Sequence, residues 1–197
     1  MMKITHADFI VLDNVIRPVG VILMMEYATK QCIRFFNKNG YIVVISGVGH
    51  KSAQDILQVT RTIKTMYHLP LVLIYTPDET NSVSELAPHD DLYSAIISVD
   101  NMRKTRSVRS MIKLLWHGLH PKIQHHVPLM IVNSDINPVC SNGRLARCLY
   151  NAYSMYDATK LVVMLYPGIN YENLWTDDTR NFKYDVLHFL TDIHNKH

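Results

Sequence analysis

The stretch that decides the fold reads Tyr41-Ile42-Val43-Val44-Ile45-Ser46-Gly47-Val48-Gly49-His50-Lys51-Ser52. Its first part is apolar on both faces of an extended chain, which is typical of a parallel strand covered on both sides. Apolar residues then recur at three- and four-residue steps from Ile56 to Met66, and Ser52 with Asp55 forms a capping box in front of them. The stretch therefore predicts a strand, a tight turn containing glycines, and a helix that reaches about His68.

The same alternation of strand and helix patterns extends in both directions along the chain. Strands are predicted at 7–12, 41–45, 69–75, 92–99, 128–132 and 160–166, and helices at about 19–36, 52–68, 106–119, 144–156 and 181–193. The polar segment Thr76–Asp91 has no helical stripe and contains two prolines, so an irregular connection is expected there. The pattern predicts one α/β domain over residues 1–197 with six mostly parallel strands. It leaves two architectures open, an incomplete TIM-barrel-like sheet and an open doubly wound (Rossmann-like) sheet.

Composition sets limits on the class of protein. A chain of 197 residues suits one domain, and 48% hydrophobic with 19% charged residues is ordinary globular composition. The formal net charge of +3 is too small to indicate nucleic-acid binding. The three cysteines form no C-x-x-C pair, so no zinc or redox motif of that type is present. The N-terminus lacks the apolar run of a signal peptide. The apolar run Val19–Met25 is too short to span a bilayer. We therefore expect a cytoplasmic protein without a transmembrane segment.

Candidate site residues follow from the predicted strand ends. In sheets of this kind ligands bind outside the carboxyl ends of the strands, and the loops at those ends, including Thr76–Thr80, are polar here. The candidate substrate-binding residues are Ser46, Gly47, Gly49, Lys51, Asp100, Asn101, Asp135, Gly168 and Asn170. No catalytic residue is assigned by this argument.

The loop from Ser46 to Ser52 has two interpretations. Its glycines stand in front of a predicted helix N-terminus, an arrangement that suits a phosphate group. It is not a Walker A loop, because Ile45 and His50 occupy the two glycine positions of that motif. The alternative is a tight strand-to-helix turn with no ligand.

Asp13 is the candidate metal ligand. It ends a predicted strand, and a carboxylate at such a position can hold Mg²⁺ through its oxygen atoms. The alternative is that Asp13 accepts hydrogen bonds within an Asx-turn. The histidines lie in different turns and form no ligand set, and no G-x-S-x-G motif is present to indicate a serine hydrolase.

Several stretches together resemble the geranylgeranylglyceryl phosphate synthase family, the PcrB-like prenyltransferases. They are Ile10–Asp13, Asn39–Gly47, Leu69–Tyr75, Pro128–Val132 and Lys160–Gly168. The resemblance implies a modified TIM barrel with an irregular third connection, which Thr76–Asp91 fits. It also implies that Asp13 binds Mg²⁺ and that Gly47 and Gly168 lie at phosphate sites. Val48, Tyr166 and Ile169-Asn170 depart from the family motifs, and its last two strands have no counterpart in this sequence.

Three functions follow from these considerations. The first is Mg²⁺-dependent transfer of a prenyl group from a lipid diphosphate to glycerol-1-phosphate, or a related transfer to a phosphorylated ligand. The second is a glycosyltransferase on a Rossmann-like sheet, with Mn²⁺ and a nucleotide sugar bound near Asp100, Asn101 and Asp135. The third is a non-catalytic relative with an eroded site that binds a protein partner or forms a homodimer.

Overall fold

The computed structural model describes residues 2–5, 9–13, 15–25, 28–46, 52–75, 91–100, 127–135, 161–167 and 182–194, together with Leu86, His89 and Leu174. The elements in these ranges, in chain order, are β1 (Met2–Thr5), β2 (Phe9–Asp13), β3 (Gly20–Met24), α1 (Lys30–Lys38), β4 (Tyr41–Ser46), α2 (Ala53–Tyr67), β5 (Leu71–Tyr75), β6 (Ala95–Asp100), β7 (Leu129–Asp135), β8 (Leu161–Pro167) and α3 (Phe182–His194).

The strands in this part of the chain form one sheet in the order β1-β2-β4-β3-β5-β6-β7-β8. The strands β3 to β8 are parallel to one another, and β2 is antiparallel to both of its neighbours, β1 and β4. Because β1 and β8 stand at opposite ends of this order, the sheet is open. The expectation of a mostly parallel α/β sheet is confirmed, and the TIM-barrel-like alternative is wrong.

The main error in the predicted elements concerns the segment 19–36, which was expected to be one helix. Its first part is β3, a central strand, and only Lys30–Lys38 is helical. All five residues of β3 are buried, because the strand has neighbours on both edges and side chains packed on both faces. A strand buried in this way has a continuous apolar run, and periodicity alone does not separate such a run from a buried helix. The short edge strand β1 was also not predicted.

The other predicted strands are confirmed within a few residues, and the last helix is α3. The helices predicted at 106–119 and 144–156 lie outside the described residues. So does nearly all of the irregular segment Thr76–Asp91.

The sheet separates two apolar layers. On one face α2 packs with Ile56, Val59 and Ile63 against alternate residues of β3 to β7. On the other face α1 and α3 pack side by side, and Phe35 of α1 contacts Tyr184 of α3 edge to face at 5.3 Å. Helices on both faces of a parallel sheet define a doubly wound fold.

Capping groups determine where the helices in this part of the structure begin and end. The Thr29 side chain accepts a hydrogen bond from the Cys32 backbone N–H at 3.1 Å and begins α1. In α2 the backbone N–H and side chain of Ser52 exchange hydrogen bonds with Asp55, as the capping-box pattern predicted. His68 ends α2 in the left-handed conformation, with φ of 52°. None of the described helices is long and apolar enough to cross a membrane.

Candidate active site at the carboxyl rim

The order of the strands β4, β3, β5 and β6 indicates where a candidate site lies. From β3 the chain passes through α1 to β4 on one side, whereas from β5 it continues to β6 on the other side. The two connections leave neighbouring strands in opposite directions, which makes the ends of β3 and β5 a topological switch point. Open α/β sheets bind their ligands in the crevice outside such a point. We call the edge at which β3 to β8 end the carboxyl rim.

The strands that form the carboxyl rim end at two different levels, so the rim has the shape of a step. Tyr75, the last residue of β5, pairs with Ser98 of β6, and β6 then continues to Asp100. Ser98 pairs with Ile131, so Asp135 at the end of β7 lies four residues, roughly 13 Å, beyond the level of Tyr75. The strand β8 ends level with β7. The ends of β3 and β5 therefore form a floor, and β6 to β8 form a wall beside it.

The floor of this step is closed to solvent. Met24 and Met25 at the end of β3 are buried, and so are Tyr75 and Ser46, which end β5 and β4. Ser98 of β6 lies level with Tyr75 and is also buried. These strand ends are therefore covered by protein and form a dry base beneath the carboxyl rim, where hydrogen bonds are stronger than in water.

Of the described helices that begin at the carboxyl rim, α1 and α2 differ in the charge of their first turns. The first turn of α1 contains no acidic residue, so its free backbone N–H groups keep the partial positive charge of a helix N-terminus. The first turn of α2 contains Asp55, whose carboxylate accepts hydrogen bonds from the Ser52 N–H at 3.0 Å and from its hydroxyl at 2.7 Å. An anion at α2 would meet this carboxylate, which disfavours the phosphate interpretation of the loop 46–52.

Asp13, the predicted metal ligand, lies toward the amino ends of the parallel strands, away from the carboxyl rim. It ends β2, which is antiparallel to β4, and the preceding residue Leu12 pairs with Val43. Asp13 is therefore displaced along β4 from Ser46 by about four residues, or roughly 13 Å. The backbone of Asp13 therefore lies away from the ends of β6 and β7. Among the residues that are described, no group of three histidine, cysteine or acidic side chains is arranged to hold a metal ion.

The other predicted site residues divide into two sets. Ser46, Asp100 and Asp135 are the last residues of β4, β6 and β7, so the structure brings all three to the carboxyl rim. The remaining predicted residues, on which the described structure gives no information, are Gly47, Gly49, Lys51, Asn101, Gly168 and Asn170.

Sequence reasoning missed a polar pair at the same edge. The Tyr166 hydroxyl near the end of β8 donates a hydrogen bond of 2.5 Å to Oδ2 of Asp185 in the first turn of α3. Tyr166 is buried, and its ring packs edge to face on Phe182 with centroids 5.4 Å apart. Burial raises the pKa of Tyr166 well above its usual value, and the Asp185 carboxylate raises it further, so the phenol stays protonated and remains a donor. No sequence motif pairs these residues, because the contact depends on how α3 packs on the sheet.

Comparison with solved structures identifies the architecture. The chain is similar to TT1662 from Thermus thermophilus, with a TM-score of 0.64, 10% identity, and coverage of 98% of this chain and 97% of that one. It is also similar to MGS-MChE2, an α/β hydrolase from a lagoon-sediment metagenome of Mar Chica, Morocco, with a TM-score of 0.61, 10% identity, and coverage of 98% and 99%. A third is a cold-adapted esterase from an Arctic intertidal metagenomic library, with a TM-score of 0.62, 9% identity, and coverage of 92% and 86%. No protein-family model and no curated protein matches the sequence.

These similarities correct the family resemblance inferred from the sequence. The fold is that of α/β hydrolases, and the resemblance to PcrB-like prenyltransferases is wrong. The predicted Mg²⁺-dependent prenyl transfer and the predicted glycosyl transfer are also wrong, because the similar solved structures include hydrolases and esterases. The third alternative, a non-catalytic protein with an eroded site, stays a prediction. The absence of a G-x-S-x-G motif had removed serine hydrolases from consideration, but the motif describes one nucleophile and not the fold.

Proposed function

We propose that this protein hydrolyses a small carboxylic ester in the crevice between the ends of β3 and β5. The observation that supports the proposal is the switch point itself, with a buried floor and a wall that ends in carboxylates. Enzymes described as an α/β hydrolase and as an esterase share this architecture over nearly the whole chain. Crevices at switch points are where such folds bind small molecules.

Asp135 is the carboxylate that we assign to this site. In α/β hydrolases the acidic partner follows the nucleophile in chain order and comes from a later strand. Asp135 ends β7, two strands away from β5 in the sheet. Its proposed role is to accept a hydrogen bond from the attacking water and so hold that water in position.

The group that activates water is assigned from the sequence after β5, which reads Thr76-Pro77-Asp78-Glu79-Thr80. We assign Asp78 as a general base, because a carboxylate can accept a proton from the attacking water. The water oxygen bonds to the ester carbonyl carbon, the bond to the alkoxy oxygen breaks, and the departing alcohol takes up the proton. The first-turn N–H groups of α1 are suited to stabilise the negative charge on the carbonyl oxygen during this attack.

Initial rates with p-nitrophenyl acetate, butyrate and octanoate test this proposal. We expect saturable hydrolysis of at least one ester, and a loss of about 100-fold or more in kcat for Asp135→Asn and for Asp78→Asn. Asp192→Asn is the matched control, because Asp192 is a partly exposed carboxylate in the last turns of α3, and the rate should not change.

Two results would contradict the proposal. One is a linear dependence of rate on ester concentration equal to that of an unrelated protein. The other is a set of variants at Asp78 and Asp135 that keep the full rate while the protein stays folded.

A further inference from the structure

The hydrogen bond between Tyr166 and Asp185 joins two elements that meet at the carboxyl rim. Tyr166 is the penultimate residue of β8, and Asp185 lies in the first turn of α3. The bond is 2.5 Å long, and the Tyr166 side chain is only 7% exposed. Phe182, the first residue of α3, contacts the Tyr166 ring. The carboxyl end of β8 and the first turn of α3 are therefore fixed to each other by what we call the Tyr166–Asp185 tether.

This fixed point lies beside Asp135. In the β7–β8 register Tyr166 pairs with Ser134, and the next pair is Pro167 with Asp135. Any displacement of the end of β8 would therefore be transmitted to the backbone that pairs with Asp135. A shift of about 1 Å at a catalytic group can lower the rate by a factor of about 100.

We propose that Tyr166 and Asp185 are positioning residues, which hold the carboxyl end of β8 in place against the backbone of Asp135. This inference rests on the proposed function in so far as it concerns the reaction rate. The position of β8 itself can be tested without any activity.

A matched control exists at the amino ends of the parallel strands, away from the carboxyl rim. Tyr93 precedes β6, and its hydroxyl lies 3.0 Å from Thr60 Oγ1 of α2 in a buried hydrogen bond. Tyr93→Phe and Tyr166→Phe each remove one buried phenolic hydroxyl and its hydrogen bond and leave the ring in place. Only the second change is next to the carboxyl rim.

The experiment compares the wild type with Tyr166→Phe, Asp185→Ala, Asp185→Asn and Tyr93→Phe. We expect Tyr166→Phe and Asp185→Ala to lower kcat roughly 10-fold with KM changed less than about twofold. The reason is that the Tyr166–Asp185 hydrogen bond positions the catalytic group Asp135 and does not contact the ligand. Asp185→Asn keeps an acceptor oxygen for the Tyr166 hydroxyl and should restore most of the rate. Tyr93→Phe should lower the melting temperature by a similar amount and leave kcat unchanged. Equal kcat for Tyr166→Phe and Tyr93→Phe would overturn the inference.

Hydrogen exchange separates a failure of this inference from a failure of the proposed function. In Tyr166→Phe we expect faster exchange of backbone amides within 161–185 and unchanged exchange in α2, whereas Tyr93→Phe should show the reverse. If the wild type hydrolyses no ester, this pattern still establishes the tether. If exchange within 161–185 does not change, the tether is refuted whatever the activity.

Discussion

The buried phenol groups of single tyrosine residues make the free energy of unfolding depend on pH. Tyr41 and Tyr93 are 2% and 3% exposed, and burial raises the pKa of each from the usual value of 10 to about 12. The cost of ionising a phenol away from water is the cause, since the charged form loses its hydration. The folded state therefore keeps these protons at a pH at which the unfolded chain releases them.

The free energy of unfolding should consequently fall as the pH rises from about 10 to about 12. In this range the native state binds more protons than the unfolded state, and linkage then requires that stability decreases with pH. Tyr93→Phe should make this decrease shallower, because it removes one of these buried phenols. Urea unfolding at pH 9 and pH 11.5 measures the difference. An unchanged slope in Tyr93→Phe would show that this phenol does not titrate as its burial requires.

At the scale of single elements, the end of α2 has a residue that is poorly matched to its conformation. His68 adopts φ of 52°, and a non-glycine residue in the left-handed region costs roughly 1 kcal/mol. Its backbone N–H donates to the Lys64 carbonyl, and glycine would keep this bond without the steric cost.

His68→Gly should therefore stabilise the protein by roughly 0.5–1 kcal/mol. For a chain of this length that corresponds to a rise in melting temperature of about 2–4 °C per kcal/mol, measurable by circular dichroism. The control is His188→Gly, the same change at an exposed position inside α3, which should destabilise the helix by a few tenths of a kcal/mol. A fall in melting temperature for both variants would contradict the argument.

The elements differ in how far the sequence alone could predict them. The run Tyr41–Ile45 and the stripe of α2 belong to a strand and a helix with unambiguous periods, and both were predicted within a residue or two. In Val19–Met25 the apolar residues fit a helical stripe and a fully buried strand equally well, so the local pattern could not decide. The decision depends on the neighbours of β3, which are β4 and β5 and come later in the chain.

The residues of the candidate site also differ in how far the local sequence pattern could predict their positions. The position of Asp100 and Asp135 at the carboxyl rim could be predicted, because each directly follows an apolar strand pattern and parallel strands end at one edge, whereas their role in binding stays a prediction. Asp13 has the same local pattern, but β2 runs in the opposite direction, and strand direction is not a local property. The Tyr166–Asp185 hydrogen bond could not be predicted from the sequence, because no local pattern in β8 or α3 indicates that the two residues are in contact.

At the scale of the whole molecule, stability depends on β3 as the strand that joins the two halves of the sheet. Ile22 at its centre is fully buried between α1 and the neighbouring strands. Ile22→Ala should lower the free energy of unfolding by roughly 2–5 kcal/mol, and Ile22→Val by roughly 0.5–1.5 kcal/mol. Ile16→Ala makes the same chemical change at a side chain that is 98% exposed, and we expect an effect within about 0.5 kcal/mol. Urea unfolding at neutral pH measures all three; a small effect of Ile22→Ala would show that β3 is not central.

The strand order also has a consequence for biosynthesis. Residues 2–75 contain β1 to β5, which are neighbours in the sheet, so a nascent chain of this length already has five of the eight described strands without any strand from downstream. The strands β6, β7 and β8 then join the β5 edge one at a time in the order of their translation. Until Ala95–Asp100 has left the ribosome, β5 presents an apolar edge of the kind that pairs with other chains. The interval between the emergence of Tyr75 and that of Asp100 from the ribosome is therefore one in which the growing chain exposes an apolar strand edge that a chaperone can protect.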